Sequence, residues 1–169
     1  MNSYIDKRIK SLLYLEYLDI QRRMMILKDC NNFVSIIMVT WGRLSYTKLC
    51  VESLLKNPGH KIFELIVVDN NSRDGTVEYL TKLRERVKFL TLILNNMNLG
   101  KAGAMNRGFR IASGQYFLTT DNDILYRDNW LKIMLNIYKA NSDVGAIGTT
   151  NPSAQAQQQR YNDVNDFTL

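Results

Sequence analysis

Two cysteines, two prolines and one histidine are all that a chain of 169 residues contains of those three types. Cys30, Cys50 and His60 are too few and too widely spaced for a zinc set or a disulfide framework, so Cys50 is expected in the core and Cys30 in a linker. Sparse glycine and proline, with 46% hydrophobic residues, exclude a disordered chain and predict one domain with its own core. No apolar run approaches the roughly 18 residues of a membrane-crossing helix. No Lys/Arg cluster interleaved with aromatics forms a nucleic-acid footprint, so no nucleic-acid partner is expected. No apolar leader precedes the sequon Asn70-Asn71-Ser72, which is read as accidental, with a reducing, cytoplasmic compartment. Positive charge is in excess: a net +6 favours anionic partners, whether phosphorylated substrates or lipid headgroups.

Residues 3 to 29 read as a basic amphipathic helix. Ile5, Ile9, Leu13, Tyr17, Ile20, Met24 and Leu27 recur at spacings of three and four, with Lys7, Lys10, Arg22 and Arg23 off the stripe. Such a stripe packs on the domain or a partner, or lies on a membrane surface. After Asn31-Asn32, strands and helices alternate. Strands are predicted at 34–39, 63–68, 89–94 and 115–120, with a short last one at Val144 to Gly148. Helices are predicted at 45–56, 75–86 with Asp74 as N-cap, 101–112, and from an Asp128 cap to Ala140. This rhythm gives an α/β fold, a mostly parallel sheet with helices on both faces. The organisation is then 1–32 as N-terminal helix, 33–150 as the α/β domain and 151–169 as a polar tail.

Ligands of such sheets bind beyond the carboxyl ends of the strands, where the polar clusters fall: Thr40-Trp41, Asp69 to Ser72, Asn95 to Gly100, and Asp121-Asn122-Asp123. Two carboxylates flanking one residue suit a hard divalent cation that keeps waters and takes substrate phosphate; the same residues also form ordinary turns. A calcium loop of the EF-hand type from Asp121 is excluded, since Tyr126 and Lys132 stand where Gly and Glu belong. Trp41 is placed to stack on a nucleobase or to cover the core edge. Asp69 is placed to accept from a base or ribose, or to form a helix-entry turn. Asn98 to Gly108 carries small residues where a loop enters a helix, which lets backbone N–H groups approach phosphate or lets Gly103 and Gly108 pack closely on the sheet. It is neither a Walker loop nor a dinucleotide fingerprint.

Taken together, Val34 to Arg43, Glu64 to Thr76, Asn98 to Gly108 and Asp121-Asn122-Asp123 resemble, in order and spacing, the family 2 glycosyltransferases of the GT-A fold. The resemblance covers about residues 33 to 150. It implies a Rossmann-like nucleotide-diphospho-sugar transferase domain. In it Thr40 and Trp41 line the base pocket, Asp69 contacts the base, Asp121 meets ribose or metal, and Asp123 binds Mg or Mn. Asn71, Asn98, Gly100, Lys101, Asn106 and Asn122 complete the implied substrate-binding set, with Lys101 neutralising diphosphate charge.

The implied donor is a UDP-, GDP- or dTDP-sugar, and the implied acceptor a glycan or lipid-linked hydroxyl attacked with inversion. The basic helix places this at the inner membrane face. Val39, Trp41 and Gly42 stand where the family usually has Pro, Tyr and Asn, and Met105 replaces a common Arg, removing one phosphate contact. No later acidic motif follows Gly148, so no catalytic base is named. Two other readings stay open: a catalytically inactive GT-A-like binding module, and a nucleotidyltransferase, although Thr40-Trp41-Gly42-Arg43 lacks that class's Gly-rich basic loop.

Overall fold

The computed structural model describes residues 32–148. The helix expected at 3–29, Cys30 and the tail at 151–169 lie outside them. The chain divides between Trp130 and Leu131 into two compact units.

The first unit is built on four strands: β1 (Val34–Thr40), β2 (Phe63–Asp69), β3 (Leu90–Leu94) and β4 (Tyr116–Asp121). Between them run α1 (Leu44–Lys56), α2 (Thr76–Arg86) and α3 (Gly100–Phe109). All three pairings are parallel and the order is β3-β2-β1-β4. Continuous apolar runs form the two central strands because both of their faces are covered. Ile37, Ile66 and Val68 meet Ala104 of α3 on one face, while Ile36, Met38, Leu65 and Val67 of the other face are equally inaccessible. Helix α3 approaches β1 and β2 closely because Gly108 has no side chain: a Cβ there would stand 2.5 Å from Ile37 Cγ2. Its close-packing role is therefore seen directly. Among the described residues no helix is long and apolar enough to cross a membrane.

The chain leaves β1 toward β2 and β3, then returns through α3 to place β4 on β1's other side. That reversal makes the carboxyl ends of β1 and β4 a topological switch point, where a crevice opens. The register sets Thr40 beside Asp69, and Val39 beside Asp121, so the polar strand ends reach one edge together.

Several expected boundaries move. Helix α3 stops at Phe109 rather than Ala112, where the ladder tightens: Ile111 N bonds Gly108 O three residues back, at 3.2 Å, in place of an α-helical partner four back. Asp74 does not take the N-cap of α2, which Gly75 occupies at φ 88. Its Oδ1 still accepts from Thr76 N at 3.3 Å and Thr76 Oγ1 at 2.7 Å, satisfying the first helical N–H. The last described helix, α4 (Trp130–Ala140), starts two residues beyond Asp128, after Asn129 at φ 61. In the second unit the strand expected at Val144 to Gly148 is absent: the segment is a bend and irregular backbone, with Gly145, Ala146 and Gly148 exposed. Two glycines in five residues weaken strand formation, and the segment is too exposed for a covered strand.

Candidate functional site

At the end of β2, Asp69 is fully buried and its carboxylate organises the neighbouring loop. Oδ1 accepts from Thr40 Oγ1 at 2.9 Å and Ser72 Oγ at 2.5 Å, and Oδ2 accepts from Ser72 N at 2.8 Å. Ser72 Oγ in turn accepts from Gly42 N at 2.7 Å. One carboxylate thus ties the loop after β1 to the loop after β2. Thr40 is equally buried, so both residues brace the cleft wall from behind.

In front of that wall Trp41 is 65% exposed. With Gly42, Asn71, Ser72, Arg73 and Asn98 it lines an open cleft, an aromatic plate among amides, a hydroxyl and a guanidinium. Exposure of so large a ring beside a rigid strand end distinguishes it from a core-covering Trp. Asn71 holds the turn at φ 67, a left-handed conformation that Asn tolerates.

A second network joins β2 to the loop before α3. Asn70, 2% exposed, donates from Nδ2 to Asn98 Oδ1 at 3.0 Å and to Gly100 O at 3.1 Å. Its Oδ1 accepts from Asn95 Nδ2 at 2.8 Å and Leu99 N at 3.2 Å. Arg107 donates to Asn95 Oδ1. Asn98 Oδ1 also accepts from Gly100 N at 2.8 Å, so it acts within the loop as well as on the cleft. Asn70 and Asn95 fall within the polar segments expected at the strand ends, and Arg107 within the Asn98 to Gly108 segment, but none of them is in the implied substrate-binding set. The only sequence signal was the repetition of Asn at two strand ends. Asn106 stands apart, exposed in the second turn of α3, about 9 Å along the axis from Gly100.

Across the switch point lie the acids. Lys101 Nζ is 2.6 Å from Asp121 Oδ1 and 2.8 Å from Oδ2, with both side chains about half exposed. Arg43 Nη1 is 2.9 Å from Asp123 Oδ2, again with both partly exposed. Asn122 between them donates to Gly42 O at 3.2 Å and Thr47 Oγ1 at 2.9 Å, lacing the acidic turn to the start of α1. The structure thus gathers Trp41, Asn71, Asn98, Gly100, Lys101, Asp121, Asn122 and Asp123 at one sheet edge.

Behind the acids are two groups whose protonation is set by burial. Cys50 is buried as expected and donates to Asp121 O at 3.4 Å; desolvation, then the nearby acids, push its thiol up to about 11. Desolvation likewise pushes the Tyr126 phenol, which donates to Thr120 Oγ1 at 2.5 Å, up to about 12. At the cleft's outer rim the Thr76 hydroxyl bond holds Asp74 below the usual carboxylate range.

Asp121 and Asp123 are hard oxygen donors of the kind that Mg²⁺ and Mn²⁺ take. Among the described residues no group of three or more His, Cys, Asp or Glu side chains forms a closed cage. Two partly exposed acids fit a cation that completes its shell with phosphate and water.

The sheet order and its switch point are those of the GT-A fold. The model of glycosyl transferase family 2 matches residues 35–164, and the chain belongs to that family. It is 27% identical over 116 residues to an uncharacterized glycosyltransferase of Haemophilus influenzae, covering 69% of this chain and 36% of that one. Among solved structures it is similar to mannosyltransferase PcManGT from Pyrobaculum calidifontis in complex with GDP-Man and Mn²⁺. There the TM-score is 0.64 at 23% identity, over 86% of this chain and 45% of that one. It is also similar to Staphylococcus aureus TarS 1-349 in complex with UDP-GlcNAc, with a TM-score of 0.56 at 25% identity over 70% and 37% of the two chains. The chain spans 16% to 36% of the length of the first curated relatives it matches.

Proposed function

We propose that this domain binds a nucleoside diphosphate sugar together with Mg²⁺ or Mn²⁺ and serves sugar transfer to an acceptor hydroxyl. The observation that carries the reading is the pairing of an exposed Trp41 cleft with two partly exposed acids across one switch point. In this reading the base stacks on Trp41 and meets the amides of Asn71 and Asn98. Asp69 and Thr40 act from behind, holding Ser72 and the Trp41 loop in register. Asp121 and Asp123 would hold the cation, whose charge offsets that developing on the departing diphosphate. Lys101, within reach of Asp121, supplies a further positive charge at the mouth of α3.

The acceptor oxygen attacks as the diphosphate leaves, a single displacement that inverts the anomeric centre. The base that takes the hydroxyl proton belongs to no motif identified in this chain. A glycan or lipid-linked acceptor at the cytoplasmic membrane face suits the excess positive charge. The donor complexes of the two structural relatives, one with UDP-GlcNAc and one with GDP-Man and Mn²⁺, support a nucleotide-sugar ligand without selecting its base.

Calorimetry with UDP, GDP, dTDP and their sugars, with and without Mn²⁺, tests this reading. Metal-dependent binding of at least one nucleotide is expected, and Asp123→Asn should remove the metal dependence while the fold persists. Failure of every nucleotide to bind in a metal-dependent way sinks it.

A further inference from the structure

Arg43 occupies a position for which arginine is poorly suited on three counts. Its backbone is left-handed, φ 60 and ψ 50, where a side chain other than Gly, Asn or Asp is strained. It is the N-cap of α1 yet its side chain makes no cap bond, the role that Ser, Thr, Asn or Asp fills. It also brings a cation to the positive end of a helix with no acid in its first turn. The cap is supplied from elsewhere, by Asp74 Oδ2 accepting from Leu44 N at 2.9 Å. The guanidinium instead lies 2.9 Å from Asp123 and 5.7 Å from the centre of the Tyr46 ring. Residues held in strained backbone cluster at functional sites, and here the strain aims a charge at one of the two acids.

The geometry points to Arg43 as a resident counter-ion that occupies Asp123 until donor arrives, so that a divalent cation alone must displace it. This rests on the donor-site reading. Binding of the diphosphate gives the guanidinium a second anionic partner and frees the carboxylate for the metal, which couples cation affinity to nucleotide affinity. The ion pair is partly exposed on both sides, so the barrier to metal is modest and the exchange is open to solvent.

The experiment is calorimetric titration of the full chain with Mn²⁺ alone, then with Mn²⁺ in saturating UDP or GDP. Wild type is compared with Arg43→Asn and Arg43→Lys. Asn suits both the left-handed backbone and the N-cap, so Arg43→Asn should melt at or above the wild-type temperature. It should bind Mn²⁺ alone about two- to fivefold tighter, the range expected from removing an exposed ion pair. The factor by which nucleotide tightens Mn²⁺ should shrink correspondingly. Arg43→Lys keeps the charge and should bind Mn²⁺ alone like wild type. If wild type shows coupled metal and nucleotide binding while Arg43→Asn binds Mn²⁺ no tighter, this inference alone is overturned. If wild type shows no metal-dependent nucleotide binding, the donor-site reading falls and this one with it.

Discussion

Ser72 Oγ donates to the buried Asp69 side chain at 2.5 Å while accepting from Gly42 N at 2.7 Å, so one hydroxyl joins two loops through an acceptor that never meets solvent. Asp69→Asn replaces an acceptor of three bonds with an amide that turns an N–H toward donors. Leaving a buried donor unmet costs about 1–3 kcal/mol, so urea unfolding should shift by that amount. Nucleotide affinity should fall with and without Mn²⁺, because the Trp41 loop loses its brace. A variant as stable as wild type would contradict this account of Asp69.

Trp41→Ala should behave in the opposite way. The ring is mostly exposed, so thermal unfolding should hardly change. Loss of base stacking is worth about 1–3 kcal/mol, which weakens nucleotide binding roughly 5- to 150-fold. Unchanged affinity would remove the base from this cleft.

Gly108→Ala sets two effects against each other. Ala gains about 1 kcal/mol over Gly in a helix, but a Cβ 2.5 Å from Ile37 Cγ2 overpacks the core at a cost of about 1–3 kcal/mol. The clash should win, lowering the melting temperature by several degrees. A melting point raised by the substitution would mean that α3 can lift from the sheet.

Raising the pH above 9 should destabilise the domain. The unfolded Cys50 thiol releases its proton near 9.0, whereas burial holds it in the folded state to about 11. Between those values the folded state binds more protons, so stability is complete below pH 9 and falls as pH rises to 11. Tyr126 continues the same trend from 10 to about 12. Urea midpoints at pH 8 and 10.5 check this, and Cys50→Val should flatten the slope between them.

The two central strands were readable from sequence because buried parallel strands are continuous apolar runs, and β1 at Val34–Thr40 extends its expected span by one residue; the edge strands β3 and β4, exposed along part of their length, carried shorter apolar runs at the same α/β spacing. Polar strand ends were readable for the same reason: the hydrophobic run stops where the site begins. Val144 to Gly148 misled, since a short apolar run carries no record of whether a neighbouring strand exists to pair with it. The network of Asn70, Asn95 and Arg107 was not legible because it depends on which strand ends become neighbours. The local meaning of Asp74 was nearly right: it serves the helix one position earlier than the cap it was expected to occupy.

The order β3-β2-β1-β4 also bears on how the molecule assembles. Pairing Val34 with Tyr116 closes a loop of about 80 residues, whereas β1 with β2 spans about 30. Long closures are entropically late and slow. The residues lining the Trp41 cleft all come from the loops after the first three strands, so pairing of the strand carrying Asp121 is expected to follow them. During folding, a nascent chain would acquire its base-side wall before its acidic rim, and a ligand that bridges the two would act as a clasp on the final strand.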